Sequence, residues 1–172
     1  MVILTLYFAP GSSSMAPHIA LHEIGTPFES RPLSFHLKEN RDPAFLAINP
    51  EGKVPTLLID SRLLTEVAGI LFYLARRFPE ARLLPSGDVE AEAQVVSWMS
   101  FIAATVHPAR RQGPEHARAV YSIADQRLGG EIGRSENTPL PIFTCFGCSG
   151  VFAGGSIRVP MNFPISPHIT KE

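Results

Sequence analysis

The stretch Asn49-Pro50-Glu51-Gly52-Lys53-Val54-Pro55-Thr56-Leu57 decides how the chain around it is read. It passes from turn-forming residues into an apolar, β-rich run, with Pro55 at the entry. Proline has no N–H to give to a ladder, so it belongs at a strand start or edge. A proline at such a point is also a candidate for a cis peptide bond, which would turn the backbone of Val54 outward. An outward N–H and C=O pair can hold an extended peptide by strand-like pairing. An ordinary tight turn ahead of a hairpin fits the same spacing, so these residues alone leave both readings open.

On the C-terminal side, Thr56-Leu57-Leu58-Ile59 and Arg62-Leu63-Leu64 flank Asp60-Ser61, a hairpin signal. Thr65 is placed to cap a helix whose Ile70, Leu71 and Leu74 share one face. On the N-terminal side, Val2 to Phe8 is a continuous apolar run, as expected of a strand covered on both faces. Pro10-Gly11 ends it. Met15, Ile19, Ala20 and Ile24 then recur at helical spacing, with Ser13 or Ser14 as N-cap, Pro17 tolerable in the first turn and Gly25 as the stop. Phe28 to Leu33 is a weaker strand, interrupted by Pro32, and Asn40 to Leu46 holds a short helix. The order β-α-β followed by β-β-α predicts a small mixed sheet with helices packed on it.

Pro79 to Pro85 reads as a linker. Val95, Trp98, Ile102 and Val106 then step by three and four along a helix from about Val89 to His107, broken by Pro108 and Gly113-Pro114. A second helix carries Val120, Ile123, Ala124 and Leu128 on one side, and the short connection predicts an antiparallel pair. Ser122 to Asp125 has the look of a capping box. The continuing pattern from Ala119 to Leu128 favours an uninterrupted helix instead.

Composition narrows the function. The 172 residues are 45% hydrophobic and carry 15 Lys and Arg against 16 Asp and Glu. That excludes a disordered chain and argues against a nucleic-acid binder, which shows a basic excess. Met1 to Phe8 is too short, and too poor in basic residues, for a secretory leader. With two cysteines three residues apart, the expectation is a cytoplasmic protein without a disulfide framework. Past Gly130 the character changes: 42 residues contain six charges and five prolines, and Asn137 to Ile157 has no charge at all. Its prolines and glycines make a poor membrane helix, so no membrane partner is expected. Cys145-Phe146-Gly147-Cys148 offers half a metal site or a redox pair. With only His168 nearby the ligand count is short, and no metal is expected.

Three places offer chemistry. Ser12, Ser13 and Ser14 stand at a strand-to-helix junction, where backbone N–H groups and the helix dipole favour an anion and a hydroxyl can donate to it. A plain N-cap serine explains the same residues. The turn from Asn49 to Leu57 is the second place. The third is Thr65-Glu66-Val67, where Glu66 could bind an amine and the Val67 N–H a carboxylate, or where Glu66 is simply a helix-start acid.

Taken together these motifs resemble a family. Tyr7-Phe8-Ala9-Pro10-Gly11-Ser12-Ser13-Ser14-Met15-Ala16-Pro17-His18-Ile19-Ala20-Leu21 resembles the opening of bacterial glutathione S-transferases, closest to the beta class. Asn49 to Leu57 is similar to their cis-proline segment, Leu64-Thr65-Glu66 to their γ-glutamyl site, and Trp98 to His107 to the first helix of their all-helical domain. The likeness runs from Met1 to about Leu128.

The resemblance implies an α/β thioredoxin-like N-terminal domain followed by an all-α helical domain, here incomplete. The divisions expected are a glutathione-binding domain at 1–79, a linker at 80–87, a partial helical domain at 88–130 and an atypical tail at 131–172. It implies a glutathione transferase, usually a homodimer with a role in detoxification, that joins glutathione to small electrophiles and needs no cofactor beyond that co-substrate. Glutathione would pair with Val54 ahead of a cis Pro55 and beside Lys53, and Glu66 would take its γ-glutamyl amine. Val67 stands where relatives have a serine, keeping the N–H but losing the hydroxyl. Lys38 and His107 fall near glutathione-contacting positions. Beta-class members have a cysteine where this chain has Ser13. Serine cannot form a mixed disulfide but can hydrogen-bond a thiolate, so Ser13, with Ser12 and Ser14 beside it, is the expected catalytic group. A non-catalytic relative that binds glutathione or another ligand is the alternative. The family's further helices are not found past Gly130. Val95, Trp98, Ile102, Val120 and Ile123 are therefore expected to lack part of their cover, unless Ile142, Phe143, Phe146, Val151 and Phe152 supply it.

Overall fold

Side-chain alternation along β1 (Leu4–Phe8) sends Leu4, Leu6 and Phe8 to one buried face and leaves Thr5 and Tyr7 half-buried on the other. This computed structural model describes residues 2–85 and 87–129. The tail from 130 onward, with Cys145, Cys148, His168 and the apolar residues expected to cover the helices, lies outside the described residues, as does the side chain of Leu128.

The chain runs from β1 through α1 (Met15–Ile24) to β2 (Glu29–Pro32), a short 3-10 turn (Glu39–Arg41) and α2 (Pro43–Ile48). It continues through β3 (Thr56–Ile59), β4 (Arg62–Thr65) and α3 (Val67–Arg77). The sheet order is β2-β1-β3-β4, with β1 and β2 parallel and the other two pairings antiparallel. This is the small mixed sheet the element order predicts, in the thioredoxin-like arrangement the family resemblance implies. The expected hairpin is present: Asp60 and Ser61 have φ of 48° and 66°, the left-handed pair a two-residue turn needs. The Asp60 carboxylate also accepts the Ile3 N–H at 2.9 Å, tying the turn to the start of β1.

Several local expectations shift. Pro32 does not interrupt β2 but ends it, on an edge strand where a missing N–H costs no ladder bond. The short helix starts later than expected because Asp42 caps it, accepting from the Ala44 N–H at 2.9 Å with Pro43 as first residue. Thr65 is not a cap; it pairs with Thr56 in β4, and Glu66 holds the N-cap position of α3. The face of α1 turned inward is Ala16, Pro17, Ala20 and Leu21, with Met15 and Ile24 at its margin. Small alanines let the helix lie close to the sheet.

The second part begins with α4 (Val89–Phe101), capped by Asp88 accepting from Ala91 N–H at 3.0 Å. The expected break at Pro108 does not occur. Proline cannot donate to the Ala104 carbonyl four residues back and its ring would clash there. A π turn at Ile102–Val106 widens the coil ahead of it, with the His107 N–H bonded to the Ile102 carbonyl, and the helical path continues as α5 (His107–Ala109). After a 3-10 turn (Arg110–Gln112), Gly113 at φ 102° redirects the chain into α6 (Pro114–Gly129), which runs through Ser122 to Asp125 without a break.

The stretch read as a linker is anchored: Leu83 and Leu84 are buried in one apolar cluster with Leu6, Leu57, Leu74, Val95, Trp98 and Ile102. Each such side chain contributes about 1.5–3 kcal/mol when fully buried. Val95, Trp98, Ile102 and Val120 are thus covered, contrary to expectation, because α4 lies against α3 and α6 against the 101–109 segment. Ile123 alone of that set is exposed, at 48%. Among the described residues no helix is long and apolar enough to cross a membrane.

Candidate functional site

Strand directions bring four connections to one end of the sheet. Phe8, Pro32, Thr56 and Thr65 lie in a row there, so the chain leaves β1, β2 and β4 and enters β3 at the same edge. A cleft of 370 Å³ opens at this end. Its lining includes Ser13 from the start of α1, Phe35, Asn40 and Arg41 from the connection after β2, and Glu51 to Pro55 ahead of β3. Thr65, Glu66 and Val67 come from the β4–α3 junction, and His107 reaches in from α5.

The turn ahead of β3 is braced from inside. Asn49 is 1% exposed; its Nδ2 donates to the Lys53 carbonyl at 3.0 Å and the Thr56 hydroxyl at 2.9 Å, while its Oδ1 accepts from the Glu51 N–H at 3.1 Å. Gly52 at φ 61° turns the loop back, and Asn40 Nδ2 donates to its carbonyl at 2.9 Å. A Cβ on Gly52 would lie 2.7 Å from the Asn40 carbonyl oxygen, so only glycine fits the approach. The Val54–Pro55 bond is cis, and among the described residues neither the N–H nor the C=O of Val54 has a hydrogen-bond partner.

The three serines have different surroundings. Ser14, fully buried, accepts from the Ala9 N–H at 2.9 Å and lies 2.6 Å from the Ser12 hydroxyl. Ser12 donates to the Ala9 carbonyl at 2.8 Å and accepts from the Ser14 N–H at 3.2 Å. These two hydroxyls therefore close the β1–α1 turn on itself, and neither residue lines the cleft. Neither Ser13 nor Ser14 is a side-chain cap of α1, because Ser14 already has helical angles and spends its hydroxyl on Ala9. Ser13 lines the cleft, and among the described residues its hydroxyl has no partner.

At the far side, Glu66 sits at φ 65°, a conformation L-residues seldom adopt, and its carboxylate makes no capping bond to α3. Lys53 Nζ lies 3.0 Å from Glu51 Oε2. The hydrogen bond to Glu51 and that group's charge hold the lysine above its ordinary pKa, with Glu66 adding to the effect. Lys38 does not line the cleft. It adopts a left-handed conformation at the start of the 3-10 turn, where its carbonyl accepts from the Arg41 N–H at 2.7 Å. Tyr7 lies on the opposite sheet face, its ring 5.3 Å from Phe45. Sequence reading did not single out Phe35, Asn40 or Arg41; the parallel β1–β2 pairing, which carries the β2 exit to the same edge as Ser13, is the signal that locates them. Among the described residues no group of three or more His, Cys, Asp or Glu side chains could hold a metal ion.

Residues 2–76 match the family described as glutathione S-transferase, N-terminal domain. A glutathione transferase homolog from Sulfitobacter, solved with bound glutathione, aligns with a TM-score of 0.70 and 31% identity, over 88% of this chain and 86% of that one. The chain belongs to the glutathione S-transferase family. A sphingomonad glutathione S-transferase complexed with glutathione is 33% identical with a TM-score of 0.64, over 73% of this chain and 70% of that one. The glutathione S-transferase GstA of Escherichia coli O157:H7 is 37% identical over 107 residues, 60% of this chain and 53% of that protein. The chain spans about half the length of the curated transferases it matches.

Proposed function

We propose that this glutathione S-transferase relative binds glutathione across the cleft and joins its thiolate to small electrophiles, with Ser13 donating the hydrogen bond that holds the sulfur as an anion. One observation carries the reading: of three adjacent serines, Ser13 alone lines the cleft and has its hydroxyl uncommitted among the described residues. The cysteinyl backbone pairs with Val54 ahead of Pro55. The Glu66 carboxylate takes the γ-glutamyl ammonium, and the Val67 N–H, one of the unsatisfied donors at the start of α3, takes the adjoining carboxylate. Lys53 adds positive charge beside the bound anion, and His107 offers a ring nitrogen to it.

The magnitudes support a serine in this part. A thiol of pKa about 8.5 is only a few per cent ionised at neutral pH. Lowering it by about two units needs roughly 2.7 kcal/mol in favour of the anion. A hydrogen bond to a charged group contributes about 1.5–3 kcal/mol, and a helix N-terminus about 0.3–1 kcal/mol. With its proton released to solvent, the thiolate forms a carbon–sulfur bond at an electrophilic carbon as the carbon–halogen bond breaks and the halide leaves with the electron pair, and holding both reactants side by side lowers the entropic part of the barrier.

Calorimetry with glutathione, together with a conjugation assay on a chloronitroaromatic electrophile, tests the reading. Binding with turnover that Ser13→Ala sharply reduces is expected; a folded sample that binds no glutathione at millimolar concentration overturns it. Val67, an apolar side chain next to Glu66 with no hydroxyl to offer a carboxylate, favours a second reading, in which glutathione binds without turnover and Ser13→Ala changes nothing. Leu63 of β4, Phe72 of α3 and Val96 of α4 are exposed apolar side chains that support a homodimer, for which sedimentation is the test. A cytoplasmic, detoxifying role belongs to the same proposal.

A further inference from the structure

In an uninterrupted helix, position 107 would face away from the cleft. At about 100° per residue, an α-helix running from Val89 through His107 would set His107 within about 20° of Val96 and Ser100. Those two residues lie on the exposed side of α4, Val96 at 42%. The π turn at Ile102–Val106 changes this. The His107 N–H bonds the Ile102 carbonyl five residues back, so the coil holds the equivalent of one extra residue. His107 therefore takes the bearing of the residue before it, within about 20° of Val95. Val95 is buried, and with Ile102 it packs in the cluster that contains Leu4, Leu6 and Leu57 of the sheet. The turn thus brings the imidazole from the outward side of the helix to the side facing the first domain, where it lines the cleft.

Pro108 is the residue that requires the turn. In a regular helix its ring would press on the Ala104 carbonyl, and that carbonyl would find no donor at position 108. With the turn in place, Pro108 stands in the first turn of α5, where a missing N–H leaves no bond unmade. Ala103 and Ala104 have no reason of their own to widen the coil, alanine being the best helix former. The proline is half-buried and lies next to the imidazole in sequence. We propose that Pro108 is a positioning residue, which by holding the π turn open aims His107 at glutathione in the cleft. The proposal rests on the reading above, in which His107 offers a ring nitrogen to the bound tripeptide.

The experiment is a double-mutant cycle on the full chain, with glutathione affinity read by calorimetry and stability by urea denaturation. His107→Ala and Pro108→Ala are each expected to weaken binding about tenfold, the loss of one hydrogen bond to the ligand. The double variant is expected to bind within about twofold of either single variant, because both remove the same contact. Pro108→Ala is expected to keep or raise the urea midpoint while binding falls, since position 108 regains an N–H for the Ala104 carbonyl. A proline that merely held the fold together would lower stability and binding at once, so a drop in both, or a variant that does not fold, overturns the assignment. So do losses that multiply to about a hundredfold in the double variant, or either single variant binding as the unaltered protein does. In each of those cases the glutathione reading stands. No glutathione binding by the unaltered protein overturns both.

Discussion

Replacing Gly52 by alanine separates two costs that usually come together. Gly25 and Gly52 both have left-handed angles, φ 70° and 61°. Around Gly25, the C-cap of α1, an added Cβ meets nothing within 4 Å. Gly25→Ala therefore carries only the conformational penalty of an L-residue in that region, about 1–2 kcal/mol. At Gly52 the same methyl lies 2.7 Å from the Asn40 carbonyl oxygen, 2.8 Å from Arg41 Nη1 and 3.1 Å from Leu46 Cδ2. The Arg41 side chain can move aside; the Asn40 backbone cannot move without disturbing the 3-10 turn. Overpacking of this kind costs about a further 1–3 kcal/mol, which puts Gly52→Ala at roughly 2–5 kcal/mol. Urea denaturation of both variants measures this, read from midpoints with the slopes unchanged. Gly52→Ala is also expected to weaken glutathione binding, because the residues displaced line the cleft, and Gly25→Ala is expected to leave binding alone. A Gly52 variant no less stable than the Gly25 variant would refute the close approach of the two loops.

Ser14→Ala should lower stability by about 1–3 kcal/mol in denaturation, since it strands the buried Ala9 N–H, whereas Ser13→Ala should stay within about 0.5 kcal/mol and act on conjugation instead. His18 stacks on Phe8 at 4.3 Å, faces Phe28 and His22 edge-on and approaches the Ser30 hydroxyl; burial first, and the charge of His22 second, lower its pKa from 6.5. The unfolded chain thus binds the proton more readily, so this group's contribution to stability is complete above about pH 6.5 and declines as pH falls toward the folded value. A His18→Gln variant should show a smaller difference in urea midpoint between pH 7.5 and 5.5 than the unaltered protein. The Tyr121 hydroxyl is buried without a hydrogen-bond partner among the described residues. Tyr121→Phe is accordingly expected to raise the melting temperature or leave it unchanged, and a fall corresponding to more than about 1 kcal/mol would show a bond that the packing hides.

Legibility in the sequence followed the range of the interaction. Periodicity and turn residues located the sheet, α1 and α3, and Asp60-Ser61 fixed the hairpin, because these depend on neighbours a few residues apart. The cis bond at Pro55 was available from the strand entry and the family likeness. Which serine faces the cleft was not, because Ser12 and Ser14 are taken up by Ala9, a contact visible only once the turn is closed. Arg41 escaped notice for a similar reason: its place depends on β2 lying parallel to β1 at the far edge. Leu83 and Leu84 stand in a proline-flanked stretch whose local pattern speaks of a connector, while their burial comes from helices on either side.

The π turn ahead of Pro108 has a consequence for how this protein can vary. A coil with an extra residue in one loop advances everything beyond it by about 100° around the axis, the angle one residue subtends in a helix of 3.6 per turn. His107 therefore meets the cleft because of how many residues separate it from Trp98, more than because of which ones they are. Conservative exchanges among Ala103, Ala104 and Thr105 leave that bearing intact, but an insertion or deletion there would swing the imidazole off its heading.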